Sequence, residues 1–99
     1  MGIKVMLMSG PDDGKEVELE GVEFTIGRRK QCDICVPFDT AVSREHARLV
    51  INGKVLLLKD EDSRNGTFIG RRRIKEVELL GEGDMFRVGN TWLRVQEVR

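Results

Sequence analysis

Ser43 and His46 lie three residues apart, with carboxylates nearby in the chain, as a nucleophile and its general base could. That chemistry also needs an oriented third group and an oxyanion hole, and no motif in the sequence announces either, so a structural role for this pair is favoured. A lone His at the start of a strand commonly bonds backbone groups and holds loops in place. Cys32 and Cys35 have the spacing of a redox pair, but they open no helix and Val36-Pro37 follows them, so nothing lowers a thiol pKa. They read as small buried hydrophobes. One His and two Cys cannot supply the four ligands of a structural zinc site. Asp60-Glu61-Asp62-Ser63-Arg64-Asn65-Gly66 has the outline of a calcium loop, yet Arg64 would occupy a liganding position and a cation rejects it. Phosphate-loop, dinucleotide, nucleophile-elbow and zinc-protease motifs are absent. No catalytic residue, metal or cofactor is expected.

Positive charge is the chemistry that remains. Five basic residues (Arg64, Arg71, Arg72, Arg73, Lys75) and no acidic one fall between Arg64 and Lys75. Arg28, Arg29 and Lys30 form a second group, and Arg44 adjoins Ser43. These could be solvated hairpin tips. If the loops lie at one end of a scaffold, they converge instead on an anion. Nucleic acid is the weaker anion, because aromatics are only 5% and none interleaves along the chain with these arginines.

The elements that must position these groups alternate with a period of two. Ile3, Val5 and Leu7 oppose Lys4, Met6 and Met8, and Val17 and Leu19 lie between Glu16, Glu18 and Glu20. Val22, Phe24 and Ile26 repeat the pattern, as do Ala47, Leu49 and Ile51, then Phe86 and Val88, and finally Trp92 to Val98. The solid run Val55-Leu56-Leu57-Leu58 predicts a strand covered on both faces or central in its sheet. Asp13-Gly14, Glu20-Gly21, Asn52-Gly53, Gly70-Arg71 and Gly89-Asn90 punctuate the strands, with Asn52-Gly53 suited to a type I′ turn and Gly70-Arg71 to type II′. No segment has helical period. Eight to eleven short strands so spaced predict an all-β sandwich or barrel. Gly27 to Arg44 and Asp60 to Gly66 break the alternation and are expected to be loops, where function is commonly carried.

Composition sets the class. A chain of 99 residues suits one domain over residues 1–99, and 39% hydrophobic against 34% charged residues excludes a disordered polymer. No apolar run approaches membrane-span length, and no secretory signal precedes the first strand, so a cytoplasmic location without membrane attachment is expected. Seventeen basic residues balance seventeen acidic ones, so an anionic partner must be met locally.

Four segments in order resemble the forkhead-associated (FHA) family: Phe24-Thr25-Ile26-Gly27-Arg28, Val42-Ser43-Arg44-Glu45-His46-Ala47, Leu58 to Phe68 with Asn65-Gly66-Thr67 near its end, and Gly83-Asp84-Met85-Phe86-Arg87-Val88-Gly89. Each is weak alone and the set is specific. The resemblance implies a β-sandwich of about eleven strands that binds phosphothreonine peptides through loops at one end, without catalysis. By position, Arg28 and Ser43 would hold the phosphate, Arg44 would add a contact, and Asn65 would bond the peptide backbone. Gly27, His46 and Gly66 would shape the loops. Arg64 stands where many members carry Ser or Thr, and Ala41 where some carry a charge, so preference around the phosphothreonine is where this chain departs from the family. Arg64, adjacent to Asn65, is expected to be the chief residue favouring acidic flanking residues, with Arg71 to Arg73 as candidates to assist. The implied function is a phosphothreonine-dependent adaptor whose partner is a Ser/Thr kinase or its substrate. A phosphate-independent protein-interaction module is the alternative.

Overall fold

A computed structural model describes all 99 residues as eleven strands and no helix. These are β1 (Gly2–Leu7), β2 (Glu16–Glu20), β3 (Glu23–Gly27), β4 (Ile34–Cys35), β5 (Ala47–Asn52), β6 (Val55–Asp60), β7 (Thr67–Ile69), β8 (Arg72–Arg73), β9 (Val77–Leu80), β10 (Met85–Val88) and β11 (Thr91–Val98). They form a six-stranded sheet, β2-β1-β11-β10-β7-β8, packed on a five-stranded one, β4-β3-β5-β6-β9. The fold is an all-β sandwich. Alternate residues of the longer strands meet between the sheets: Ile3, Val5 and Leu7 from β1, Phe24 and Ile26 from β3, Ala47, Leu49 and Ile51 from β5, and Phe86 and Val88 from β10 are buried. The period of two therefore chooses which side chains enter the core.

Three local expectations are corrected. Val55 to Leu58 lies inside its sheet, between β5 and β9, but is not covered on both faces: Leu56 and Leu58 are buried, whereas Val55 is 42% exposed and Leu57 is half-buried on the outer face. The turn after β5 is centred one residue later than expected, on Gly53-Lys54, because Asn52 remains in the ladder opposite Val55. Only Gly53 takes positive φ, at 66°, so the turn follows type II′ backbone rather than I′. The stretch from Gly27 to Arg44 is not wholly loop either. Gly27 ends β3, and Ile34 and Cys35 form β4, which runs parallel to β3 with Ile26 opposite Ile34. Its apolar residues Ile34, Val36 and Val42 drop into the core and pin the segment to the sandwich.

Candidate functional site

The segment after β3, the segment before β5 and the loop between β6 and β7 meet at one end of the sandwich, around a cavity of about 630 Å³. Arg28, Ser43, Arg44, Arg64 and Asn65 all line it, with Thr40, Ala41, Glu45, Arg48 and Glu61. Five candidate binding residues from distant parts of the chain thus share one concavity. Arg71, Arg72, Arg73 and Lys75 do not line it, so only part of the sequence's positive charge converges there.

Each wall is tied by bonds that leave its working atoms free. Arg28 donates its backbone N–H to the Ser43 carbonyl at 3.2 Å and its Nε to the Val42 carbonyl at 2.6 Å. The side chain is thereby aimed while its two terminal nitrogens stay available. Ser43 Oγ accepts the Arg64 backbone N–H at 3.0 Å, which directs the hydroxyl proton elsewhere as a donor. Asn65 Nδ2 donates to the Ala41 carbonyl at 2.8 Å, closing one loop on the other. Its carbonyl oxygen and second N–H are uncommitted.

Charge at the site is partly cancelled and partly bare. Arg48 is paired with Glu23 and Glu61, and Arg29 reaches Glu45 at 3.8 Å. Arg28, Arg44 and Arg64 form no ion pair and are exposed. Three bare guanidinium groups beside a hydroxyl donor suit a multiply charged anion.

His46 is the buried brace behind this wall. The Ser43 N–H is an obligate donor 2.9 Å from Nδ1, and the Gly66 carbonyl is an obligate acceptor 2.8 Å from Nε2. The ring is therefore the neutral Nε2–H tautomer, with no nitrogen left to serve as a base. It touches the Ser43 backbone and not its hydroxyl, which removes the nucleophile-base geometry. Burial lowers its pKa below the ordinary 6.5, and the Gly66 bond only partly opposes this.

Glycines admit close approaches in the same wall. A Cβ on Gly27 would lie 2.1 Å from the Arg44 carbonyl oxygen, so β3 can pass the Arg44 backbone only without a side chain. Gly66 holds φ at 88° with the Arg73 side chain lying across it. Cys32 and Cys35 are free thiols set behind the arginines. Cys32 is within 3.4 Å of the Arg44 carbonyl, Cys35 within 3.6 Å of the Arg28 carbonyl, and burial raises the Cys32 pKa, keeping it a thiol.

Two carboxylates, half-buried Asp60 and buried Asp39, complete the frame. Asp60 accepts the hydroxyls of Ser63 at 2.6 Å and Thr67 at 2.7 Å, and Ser63 in turn accepts the Gly66 N–H. Asp39 accepts the Ala41 and Asn90 backbone N–H groups and the Thr91 hydroxyl at 2.6 Å, tying the Ala41 segment to the turn before β11. Sequence reasoning missed both. The Asp-x-x-Ser spacing of Asp60 and Ser63 was a usable sign of a side-chain-closed turn, whereas Asp39 and Thr91 are 52 residues apart and share no local sign.

Known proteins resemble this chain in sequence and fold. The family model described as "Inner membrane component of T3SS, cytoplasmic domain" matches residues 6–99. The FHA domain-containing protein FhaA of Mycobacterium tuberculosis is 33% identical over 95 residues, covering 96% of this chain and 18% of FhaA. The chain belongs to the FHA family. A solved FHA domain from a study of phosphothreonine-dependent FHA domain interactions superposes with a TM-score of 0.85 at 29% identity, covering 100% of this chain and 99% of that one. The FhaA FHA domain complexed with the intracellular domain of Rv3910 gives a TM-score of 0.83 at 31% identity, covering 95% and 99%. This FHA domain spans less than a fifth of FhaA's full length.

Proposed function

We propose that the chain is a phosphothreonine-dependent peptide-binding module that acts as an adaptor in Ser/Thr kinase signalling, in the cytoplasm. The observation that carries it is the grouping of unpaired Arg28, Arg44 and Arg64 around the Ser43 hydroxyl, which is held as a donor by the Arg64 N–H. A phosphoryl group carries about −1.5 to −2 charges near neutral pH and three acceptor oxygens. Arg28 is the phosphate's main ligand, through the terminal nitrogens its Nε–Val42 bond leaves free. Ser43 adds a hydroxyl bond and Arg44 a second cation. Asn65, with one free donor and one free acceptor, clamps a peptide unit beside the phosphothreonine. Gly27, His46 and Gly66 hold the loops without touching the ligand. Arg64, on the rim, favours acidic residues next to the phosphothreonine.

Relatives support this reading: one matched structure concerns phosphothreonine-dependent FHA interactions, and another is a complex with a protein's intracellular domain. The partner is a phosphothreonine-bearing protein, a Ser/Thr kinase or its substrate. Titration with a degenerate phosphothreonine peptide library, before and after phosphatase treatment, tests it. Saturable binding that disappears on dephosphorylation is expected. Equal binding of both pools would overturn the assignment in favour of a phosphate-independent interaction module.

A further inference from the structure

Away from the pocket, the outer face of the six-stranded sheet carries a cross-strand row that the sequence does not reveal. Trp92 of β11 is opposite Arg87 of β10, Arg87 is opposite Phe68 of β7, and Phe68 is opposite Arg73 of β8. Side chains opposite one another in neighbouring strands share a face. The Arg87 guanidinium lies 4.2 Å from the Phe68 ring centre and 5.8 Å from that of Trp92. The next row places Arg94 beside Met85, which is 38% exposed. Aromatic, Met and Arg residues are those enriched at protein interfaces, and these six include no Lys, Asp or Glu.

Charge on this face is divided. Glu18 and Glu20 of β2 and Glu97 at the end of β11 are taken up by Lys4 and Arg99, and Glu16, opposite Met6, is left unpaired at the β2 edge. Arg94 of β11, Arg87 of β10 and Arg73 of β8 have no acidic partner. Arg87 is held over the rings by a 2.6 Å bond to the Gly89 carbonyl, while exposed Arg73 and Arg94 keep their charge free beside them, a surface that complements an acidic segment carrying an apolar side chain. Arg87 already covers the two rings, which disfavours them as a stacking platform for nucleic-acid bases.

We infer that Trp92, Arg87, Phe68, Arg73, Arg94 and Met85 form a second docking surface, for an acidic protein segment, separate from the phosphothreonine pocket and independent of phosphorylation. Arg73 lies across Gly66, so the surface begins beside the rim residue Asn65. The proposal stands whether or not the pocket binds phosphothreonine.

Trp92 is the chain's only Trp and there is no Tyr, so intrinsic fluorescence reports on this surface. The probe is a blocked, unphosphorylated decapeptide of Glu and Asp with one central Leu and one Phe. Saturable change in Trp92 emission is expected, weakening as salt rises. Arg94→Glu, at an exposed position, should lower affinity at least about tenfold with the melting temperature unchanged, the size expected of a reversed interface charge. Arg87→Gln should act in the same direction. Arg28→Ala should leave this titration unchanged, which separates it from any failure of the pocket. No saturable signal, equal affinity of wild type and Arg94→Glu, or equally tight binding of a ten-residue oligothymidylate would overturn the assignment.

Discussion

Two basic regions of this FHA domain have similar charge in sequence and different surroundings in space. The pocket wall carries Arg28, Arg44 and Arg64 on segments fixed from behind by buried His46, Ser63 and Asp39. The β7–β8 hairpin carries Arg71 and Arg72 on a tip where Gly70 has open space around it and Arg72 is neutralised by Glu78. Cationic residues alone therefore do not make a site. Buried hydrogen bonds that aim the cations, and a lack of carboxylate partners, separate the pocket from the tip.

The sharpest way to break this comparison is to remove one arginine from each region. Arg28→Ala should cost about 2–5 kcal/mol of phosphothreonine-peptide affinity, as expected for one partner of a charge-assisted pair, or well over tenfold. Arg71→Ala should leave affinity unaltered. Calorimetric titration of both variants, each shown to be folded, is the measurement. Equal losses would mean that net charge and not aim drives binding.

Glycine substitutions set the same contrast on the backbone. Gly27→Ala would drive a Cβ to 2.1 Å from the Arg44 carbonyl, where the obstacle is backbone and cannot swing away. Destabilisation of about 1–3 kcal/mol is expected, together with weakened binding through displaced Arg44. Gly70→Ala meets no neighbour and carries only its positive φ, about 1–2 kcal/mol, without an effect on binding. Chemical denaturation and peptide titration of the two variants separate these outcomes. A Gly70→Ala variant that binds poorly would connect the hairpin to the pocket.

His46 gives a pH signature to the braced region. His46→Ala leaves the Ser43 N–H and Gly66 carbonyl without partners, at about 1–3 kcal/mol, and affinity should fall only as the loops loosen. Its folded pKa is depressed, so the unfolded chain binds a proton first as the pH drops. The His46 contribution to stability is therefore complete above about pH 6.5 and is lost as the pH falls from there through the depressed folded value. Denaturant midpoints from pH 8 to pH 5 should show this decline in the wild type and a shallower one in His46→Ala. Parallel profiles would remove His46 as the source. A loss of binding at unchanged melting temperature would instead give His46 a direct role.

Legibility in the sequence followed the range of the forces involved. Alternation identified the strand faces because burial selects every second residue, and Ile3, Val5 and Leu7 are buried as their pattern predicts. Four motif segments led to Arg28, Ser43, Arg44, Arg64 and Asn65 lining one cavity, since family spacing carries three-dimensional proximity that local pattern does not. The short β4 was missed because two residues cannot display a period. The turn at Gly53-Lys54 was displaced by one residue because the ladder kept Asn52 paired with Val55. Interleaving of aromatics and arginines was judged along the chain, where none exists, yet β10, β7 and β11 create it across strands. Cross-strand rows are a property of register, and register is set by the whole sheet.

The smallest expected effect lies at the edge between the two regions. Arg64 follows Ser63, whose hydroxyl accepts from Gly66 and donates to Asp60, so its backbone belongs to the braced loop. Its side chain is exposed, as at the hairpin tip, but forms no ion pair. Exposed ionic contacts contribute about 0–1 kcal/mol and are screened by salt. A phosphothreonine peptide with Asp after the phosphorylated residue should therefore bind slightly tighter than its Ala counterpart at low ionic strength. That advantage should fade in high salt, while dependence on phosphorylation persists because Arg28 and Ser43 engage the phosphate directly. Arg64→Ser should abolish the Asp advantage and leave the Ala peptide little changed, since the backbone N–H that holds Ser43 Oγ remains. An Asp advantage that survives Arg64→Ser would make Arg64 a solvated loop residue and shift the preference to Arg44, the other bare cation of the wall.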